Sequence, residues 1–298
     1  YIIMAYLYLL CVAIMFSFGG TCVKLISPYF STEYISFFRF FVGIFWLLML
    51  KLVKRQKFQK DYRLQVRSCF GWLLFGAVLK WFAYLTENYA LSHGPSYGNI
   101  ITQPAQSVFI TLASVILFHN KLSWKKVFCI FLCLSGVLCV SWNGRPLDVF
   151  FNENAIFLLL FILSGICAGC HVLSQKMLAD KMDIIDSNLT MFSMSAVLAS
   201  FPLMPSTLSG KMAGVRPDLP CLLAILAFGF ITGIGFYLNA KAIPKVPLYM
   251  VPIIQSTMAI FSIIWGALFF HEAITGYIIA GTVIFLIGLV SLQILQSR

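Results

Sequence analysis

The feature that most constrains this chain is a recurrence: apolar runs close to 20 residues long follow one another along all 298 residues. About 20 residues of helix cross the hydrocarbon of a bilayer. In that solvent the backbone must satisfy its own polar groups inside a helix or a closed barrel. The runs are continuous and rich in Leu, Ile and Phe instead of alternating in polarity, which predicts helices and not barrel strands. Charge supports the reading, because only 10% of the residues are charged against about 25% in a soluble domain. The pattern predicts an all-α membrane protein with helices over 4–25, 34–53, 68–91, 96–118, 124–142, 154–178, 186–204, 220–242, 248–270 and 275–295. The first segment has neither a basic n-region nor a small-residue cleavage site and is read as a retained helix.

The formal charge of +11 is unevenly placed. With connections assigned alternately to the two sides, fifteen of the 21 Lys and Arg fall on one side and four on the other; Arg39 and Lys80 lie within helices. Such a bias marks the cytoplasmic side, which predicts a multi-pass inner-membrane protein with both termini in the cytoplasm. The basic excess therefore reports topology and contact with the lipid bilayer, and no nucleic-acid partner is expected. The nine cysteines lie mostly inside helices, among them Cys129, Cys133, Cys167 and Cys170. They read as small apolar packing residues, with no metal and no cofactor implied.

Sliding the chain on itself by 152 residues, without gaps, brings landmarks into register. Lys24 falls on Lys176, Phe40 on Phe192, Pro95 on Pro247, Tyr97 on Tyr249, Gln103 on Gln255, His119 on His271 and Gly136 on Gly288. Matching Lys, Pro, Tyr, Gln and His in one register exceeds what shared hydrophobicity produces. Each copy holds five helices, repeat one over about 4–142 and repeat two over about 154–295, joined near 143–153 in a single transmembrane domain. Five is odd, so the second copy enters the bilayer from the opposite side. Ten transmembrane helices as two inverted five-helix repeats is an architecture of alternating-access carriers.

Several short motifs add to this: Lys24 closing helix 1, Phe37-Phe38-Arg39-Phe40 in helix 2, Asn88-Tyr89-Ala90-Leu91 closing helix 3, Pro104 in helix 4, Phe270 to Thr275 after helix 9, and Gly288 in helix 10. With the repeat, the chain resembles the drug/metabolite transporter superfamily, specifically its EamA-type members. It departs from that pattern at Phe16–Ser17, where an aromatic–Gly pair is usual. A second departure is Asn120, where an acid follows helix 4, although the second half keeps Glu272. The resemblance implies both termini inside and a central cavity lined mainly by helices 1, 3, 4, 6, 8 and 9.

Ionisable residues inside a membrane are functional candidates by default. Lys80 lies near the middle of helix 3, with Tyr84 and Glu87 following at helical spacing on the same face. It reads as a cation that meets a carboxylate or phosphate, or shuttles a proton; an interhelical ion pair or a Lys bound to backbone carbonyls is the structural alternative. Glu87 corresponds to Asn239 and Gln103 to Gln255, which places one pair toward each vestibule. His171 and Gln175 lie a turn apart on helix 6, where polar packing competes with a pH-sensing role. Trp81, Tyr84, Phe236 and Tyr237 offer rings to a planar or cationic solute. Pro104 and Pro252 interrupt helices 4 and 9 as hinges or static kinks. Gly165/Gly169 and Gly229/Gly233 are GxxxG pairs for close helix approach.

No catalytic residue is expected: Gly94 to Gly98 matches GxSxG, but in a helical hairpin and not at a strand–helix elbow. The chain reads as a secondary carrier or exchanger of a small organic solute such as an amino acid or related metabolite. A coupling proton or counter-substrate is allowed, and the chain works as a monomer or weak homodimer. The alternative is a non-transporting membrane protein, an intramembrane enzyme or a receptor-like scaffold.

Overall fold

In a computed structural model, residues 2–58, 61–94, 102–103, 105–106, 108–109, 123–142, 144, 155–178, 181–203, 216–242 and 257–296 are described. Apolar runs become helices throughout them, and among these residues there is no strand. The order is α1 (Ile2–Ser17), α2 (Gly19–Ile26), α3 (Thr32–Val53), α4 (Tyr62–Ser68), α5 (Phe70–His93) and α6 (Trp124–Trp142) in the first repeat. The second has α7 (Ala155–Leu178), α8 (Ile184–Ser200), α9 (Leu219–Phe230), α10 (Phe236–Ala242), α11 (Met258–Phe270) and α12 (Gly276–Gln296).

These overlap nine of the ten expected segments; in the fourth, 102–103, 105–106 and 108–109 are helical. Among the described residues five helices are long and apolar enough to cross a bilayer, or six with the α4–α5 pair, which bends by 74°. The expected boundaries move where the backbone departs from one straight helix. Helix 1 breaks at Phe18 into α1 and α2, while helix 3 bends at Cys69, the cap shared by α4 and α5. Helix 8 changes to a π turn over Ile231–Gly235, with α9 before it and α10 after it. Local caps fix several starts: Asp183 accepts from the amides of Ile185 and Asp186, and Asp218 from that of Cys221. Each satisfies N–H groups that have no partner within the helix.

The inversion is written into the packing of α6 against α12. A Cβ built on Gly136 would sit 2.5 Å from the Phe285 nitrogen and 2.6 Å from the Gly281 oxygen. On Gly288 it would sit 2.8 Å from the Cys133 nitrogen and 3.0 Å from the Cys129 oxygen. Under the 152-residue shift Gly136, Cys133 and Cys129 become Gly288, Phe285 and Gly281, so the two sets of contacts are one set seen twice. That is the signature of a two-fold interface. Contacts pair rising numbers on α6 with falling numbers on α12, so equivalent helices run antiparallel and the axis lies across them.

The same axis passes through the middle of the molecule. Phe40 and Phe192, equivalent residues on α3 and α8, meet with ring centroids 5.8 Å apart. Tyr84 lies 5.5 Å from Phe40, and its equivalent Phe236 lies 5.8 Å from Phe192. Small residues let the flanking helices close on this core. Gly229 faces Val42 and Gly233 faces the Gly43 carbonyl, bringing α9 and the π turn against α3. In the equivalent place Ser195 Oγ donates to the Ala77 carbonyl at 3.0 Å, joining α8 to α5.

One end of the bundle collects basic side chains and is called here the basic face. Lys51 is buried in the last turn of α3 and pairs with Asp186 at the start of α8. Lys54 pairs with the Tyr237 hydroxyl, and Lys241 lies over the Tyr8 ring. At the far face Lys24 pairs with Glu272 at 3.5 Å, and Trp265 Nε1 donates to Ser17 Oγ at 2.9 Å. The junction over 145–153, the GxSxG residues 95–98 and His119 lie outside the described residues, as do Pro104, Pro252 and Gln255.

Candidate functional site

A cavity of about 100 Å³ lies where the two repeats meet. Its walls come from α1 (Phe16), α3 (Arg39), α5 (Lys80, Ala83, Tyr84, Glu87) and the 102–106 segment (Thr102, Gln103, Gln106). Ser164, Ala168, Val172 and Gln175 of α7, Phe236 and Asn239 of α10, and Met258 of α11 complete it. Those are helices 1, 3, 4, 6, 8 and 9, joined by Arg39 of helix 2.

Helix directions order the lining: Glu87 and Gln103 lie toward the far face, Gln175 and Asn239 toward the basic face. Close packing of α7 on α5 holds the wall in place. Ser164 Oγ donates to the Ala83 carbonyl at 2.8 Å and Ser174 Oγ to the Trp72 carbonyl at 2.6 Å. Gly165 makes room for the fourth segment, since a Cβ there would come within 2.6 Å of the Thr102 oxygen. Gly169 is buried on the same helix.

Lys80 is 5% exposed, and its Nζ lies 4.2 Å from the Tyr84 ring centroid and 4.4 Å from that of Phe236. These two rings are equivalents under the repeat, so the ammonium stands close to the pseudo-two-fold axis, facing π clouds from both halves. Cation–π contacts replace part of the hydration an ammonium loses on entering the membrane. Among the described residues no carboxylate lies within ion-pair distance of Lys80. The interhelical ion pair weighed for it from sequence is absent from them.

Glu87 is engaged elsewhere, by Arg39, with Nη1 and Oε2 3.7 Å apart. The Arg39 guanidinium is stacked 3.3 Å from the Tyr84 ring centroid and 4.4 Å from that of Phe228. Its Nε donates to Thr232 Oγ1 at 3.1 Å and Nη1 to Asn88 Oδ1 at 3.5 Å. Asn88 in turn donates to Ser36 Oγ at 3.0 Å. Thr232 is the repeat equivalent of Lys80, so the uncharged position in one half serves the guanidinium of the other.

Of the residues singled out from sequence, Lys80, Tyr84, Glu87, Gln103, Gln175 and Asn239 come together on this lining. Three do not. His171 is fully buried behind the wall, its Nδ1 2.9 Å from the Gly76 carbonyl; a carbonyl only accepts, so Nδ1 carries the proton. Its ring stands edge-on to Phe236 at 6.2 Å. Tyr237 turns to the basic face, against Lys54 and Lys241. Trp81 packs beside the central aromatic cluster. Arg39 is the residue the sequence reading missed as a site member, although its place inside the Phe-Phe-Arg-Phe run was signal enough for an intramembrane charge. Among the described residues no group of His, Cys, Asp and Glu is arranged to hold a metal ion.

A crystal structure matches 99% of this chain with 99% of its own, at a TM-score of 0.67 and 14% identity. That likeness shows a shared fold. No curated protein matches the chain. The model of the EamA-like transporter family matches residues 3–142 and again 155–293, one stretch for each repeat. With the inverted helical repeats and the cavity between them, this match settles the family: the chain is a multi-pass membrane protein that belongs to the EamA-like transporters of the drug/metabolite transporter superfamily.

Proposed function

We propose that this transporter is a secondary carrier or exchanger that works by alternating access, moving a small organic solute such as an amino acid or related metabolite across the inner membrane. The basic face, with both termini, is cytoplasmic, following the positive-inside rule. The whole chain acts as one transmembrane domain. What carries the reading is the position of Lys80, a buried cation in a cavity lined by both repeats and close to the axis relating them. When two inverted halves exchange conformations, a group on that axis faces the cavity in both states, so one ammonium can hold an anionic group of the solute throughout the cycle. Gln103 and Glu87 toward one face, and Asn239 and Gln175 toward the other, supply the remaining polar contacts. A counter-substrate or a proton balances the cycle.

Cysteine placed at Gln103 and reacted with a membrane-impermeant maleimide tests the reading. A carrier gives labelling that depends on side and on the presence of solute; labelling confined to one face under all conditions sinks it. In proteoliposomes Lys80→Ala abolishes uptake while the protein stays folded, and full uptake by that variant removes Lys80 from its role.

A further inference from the structure

The repeat makes the two ends of the cavity directly comparable, and their chemistry differs. Toward the far face Arg39 reaches across the seam between repeats. It holds Tyr84, Glu87 and Asn88 of α5 on one side, and Phe228 of α9 with Thr232 of the π turn on the other. Toward the basic face the equivalent of Arg39 is Met191 and that of Glu87 is Asn239. Met191 is fully buried beside Gly76, a packed thioether that makes no polar clasp. The buried Lys51–Asp186 pair near the basic face joins α3 to α8 and takes no part in the cavity lining.

We propose that Arg39 is the gating residue of the far end: its guanidinium clasps α5 to helix 8 of the second repeat, with Glu87 as its counter-charge, and it must release them before the cavity opens to the far face. This rests on the carrier reading above. A guanidinium suits the task because its rigid fork stacks on rings and donates in several fixed directions at once. The hydrogen bonds to Thr232 and Asn88 set its direction. The 3.7 Å approach of Glu87 is longer than a charge-assisted hydrogen bond, which runs about 2.7–2.9 Å. Glu87 thus compensates the charge without fixing the geometry, and it is the contact that opening breaks first. Further out, Lys24 and Glu272 tie helix 1 of one repeat to the end of helix 9 of the other. The sequence equivalents of that pair are Lys176 and Asn120, so here too the acid is present in only one of the two equivalent pairs. The guanidinium clasp thus has no chemical equivalent toward the basic face, where Met191 stands in place of Arg39 and Lys54 ties α3 to the Tyr237 hydroxyl of α10 instead.

The test uses Gln106→Cys, on the cavity wall, in the full chain, with an impermeant maleimide offered to spheroplasts for the far face and to inverted membrane vesicles for the basic face. Occupancy at position 106 is read by peptide mass spectrometry. Glu87→Gln, which keeps the shape and removes the charge, raises far-face labelling about tenfold and lowers basic-face labelling, within the range of a typical coupling between sites. Arg39→Lys keeps the charge but loses the fork, and shifts labelling in the same direction by less. It also decides the matter should Glu87→Gln fail to fold. If position 106 reacts from both faces in the reference chain and neither substitution alters the ratio, the gate falls while the carrier reading stands. If position 106 reacts from one face only or from neither, in every variant, the carrier reading falls and takes the gate with it.

Discussion

Replacing Lys80 by Met separates the demands of stability from those of function. A lysine at the centre of a membrane helix costs about 2.5–3.5 kcal/mol. Two cation–π contacts, at 4.2 and 4.4 Å, return about 2 kcal/mol each when desolvated, and among the described residues no ion pair within 4 Å adds to them. The cost and the return therefore cancel to within about 1 kcal/mol. Met has a similar unbranched length and fills the space beside Tyr84 and Phe236 with a polarizable side chain that favours ring contacts. The expected result is a change of no more than about 1 kcal/mol in folding stability, measured by reversible unfolding in mixed micelles, together with loss of uptake in proteoliposomes. A buried ion pair broken on one side would instead lose about 3–5 kcal/mol. A loss of that size in Lys80→Met would refute the reasoning, since it would make Lys80 a structural partner and not a free cation facing the cavity.

Three further perturbations probe the frame. Gly136→Ala and Gly288→Ala each place a methyl within 2.8 Å of the backbone of the facing helix, and each destabilises by about 1–3 kcal/mol as overpacking does. Similar losses in the two unfolding curves check the two-fold packing, and unequal ones argue against it. Lys51→Met or Asp186→Leu alone leaves a buried charge unpaired and destabilises by about 3–5 kcal/mol, whereas the double substitution recovers most of that loss; thermal melts of the three proteins decide. Gly229→Ala drives a methyl to 2.3 Å from a Val42 methyl. It lowers expression and melting temperature, and Val42→Ala in the same chain restores little of either, because the Val42 Cβ at 2.4 Å and backbone carbon at 2.8 Å stay in place. Full rescue would mean that the Val42 methyls alone, and not the close approach of the two backbones, limit the site.

The helices were legible because lipid demands long apolar runs, and the inversion because Lys, Pro, Gln and His recur in one register. Lys80, Tyr84 and Glu87 were legible as a set since spacings of four and three keep residues on one helix face. What a single helix cannot say is which neighbour its face will meet. Tyr237 and Asn239 are two residues apart, about 200° around an α-helix, so one turns to Lys54 and the other to the cavity, and only the packing decides which. His171 has the sequence profile of a site residue but is held by the Gly76 carbonyl behind the wall. Arg39 was visible as a charge; its role depends on Thr232 and Phe228, which are 193 and 189 positions away and come near it only because Gly229 and Gly233 let helix 8 close on α3.

The place of Lys80, nearly equidistant from two equivalent rings, bears on how such a chain can arise. A carrier assembled from two identical five-helix polypeptides would present two lysines to one spot, each crowding the other's ammonium out of the same aromatic seat. Duplication followed by fusion removes that conflict, because a covalently joined second half is free to mutate by itself. Thr232 shows that freedom in use: the position equivalent to Lys80 carries no cation and supplies a hydroxyl to Arg39 instead. Joining the halves thus made room for a single, unshared charge at the centre, which two separate copies of one half have no means of providing.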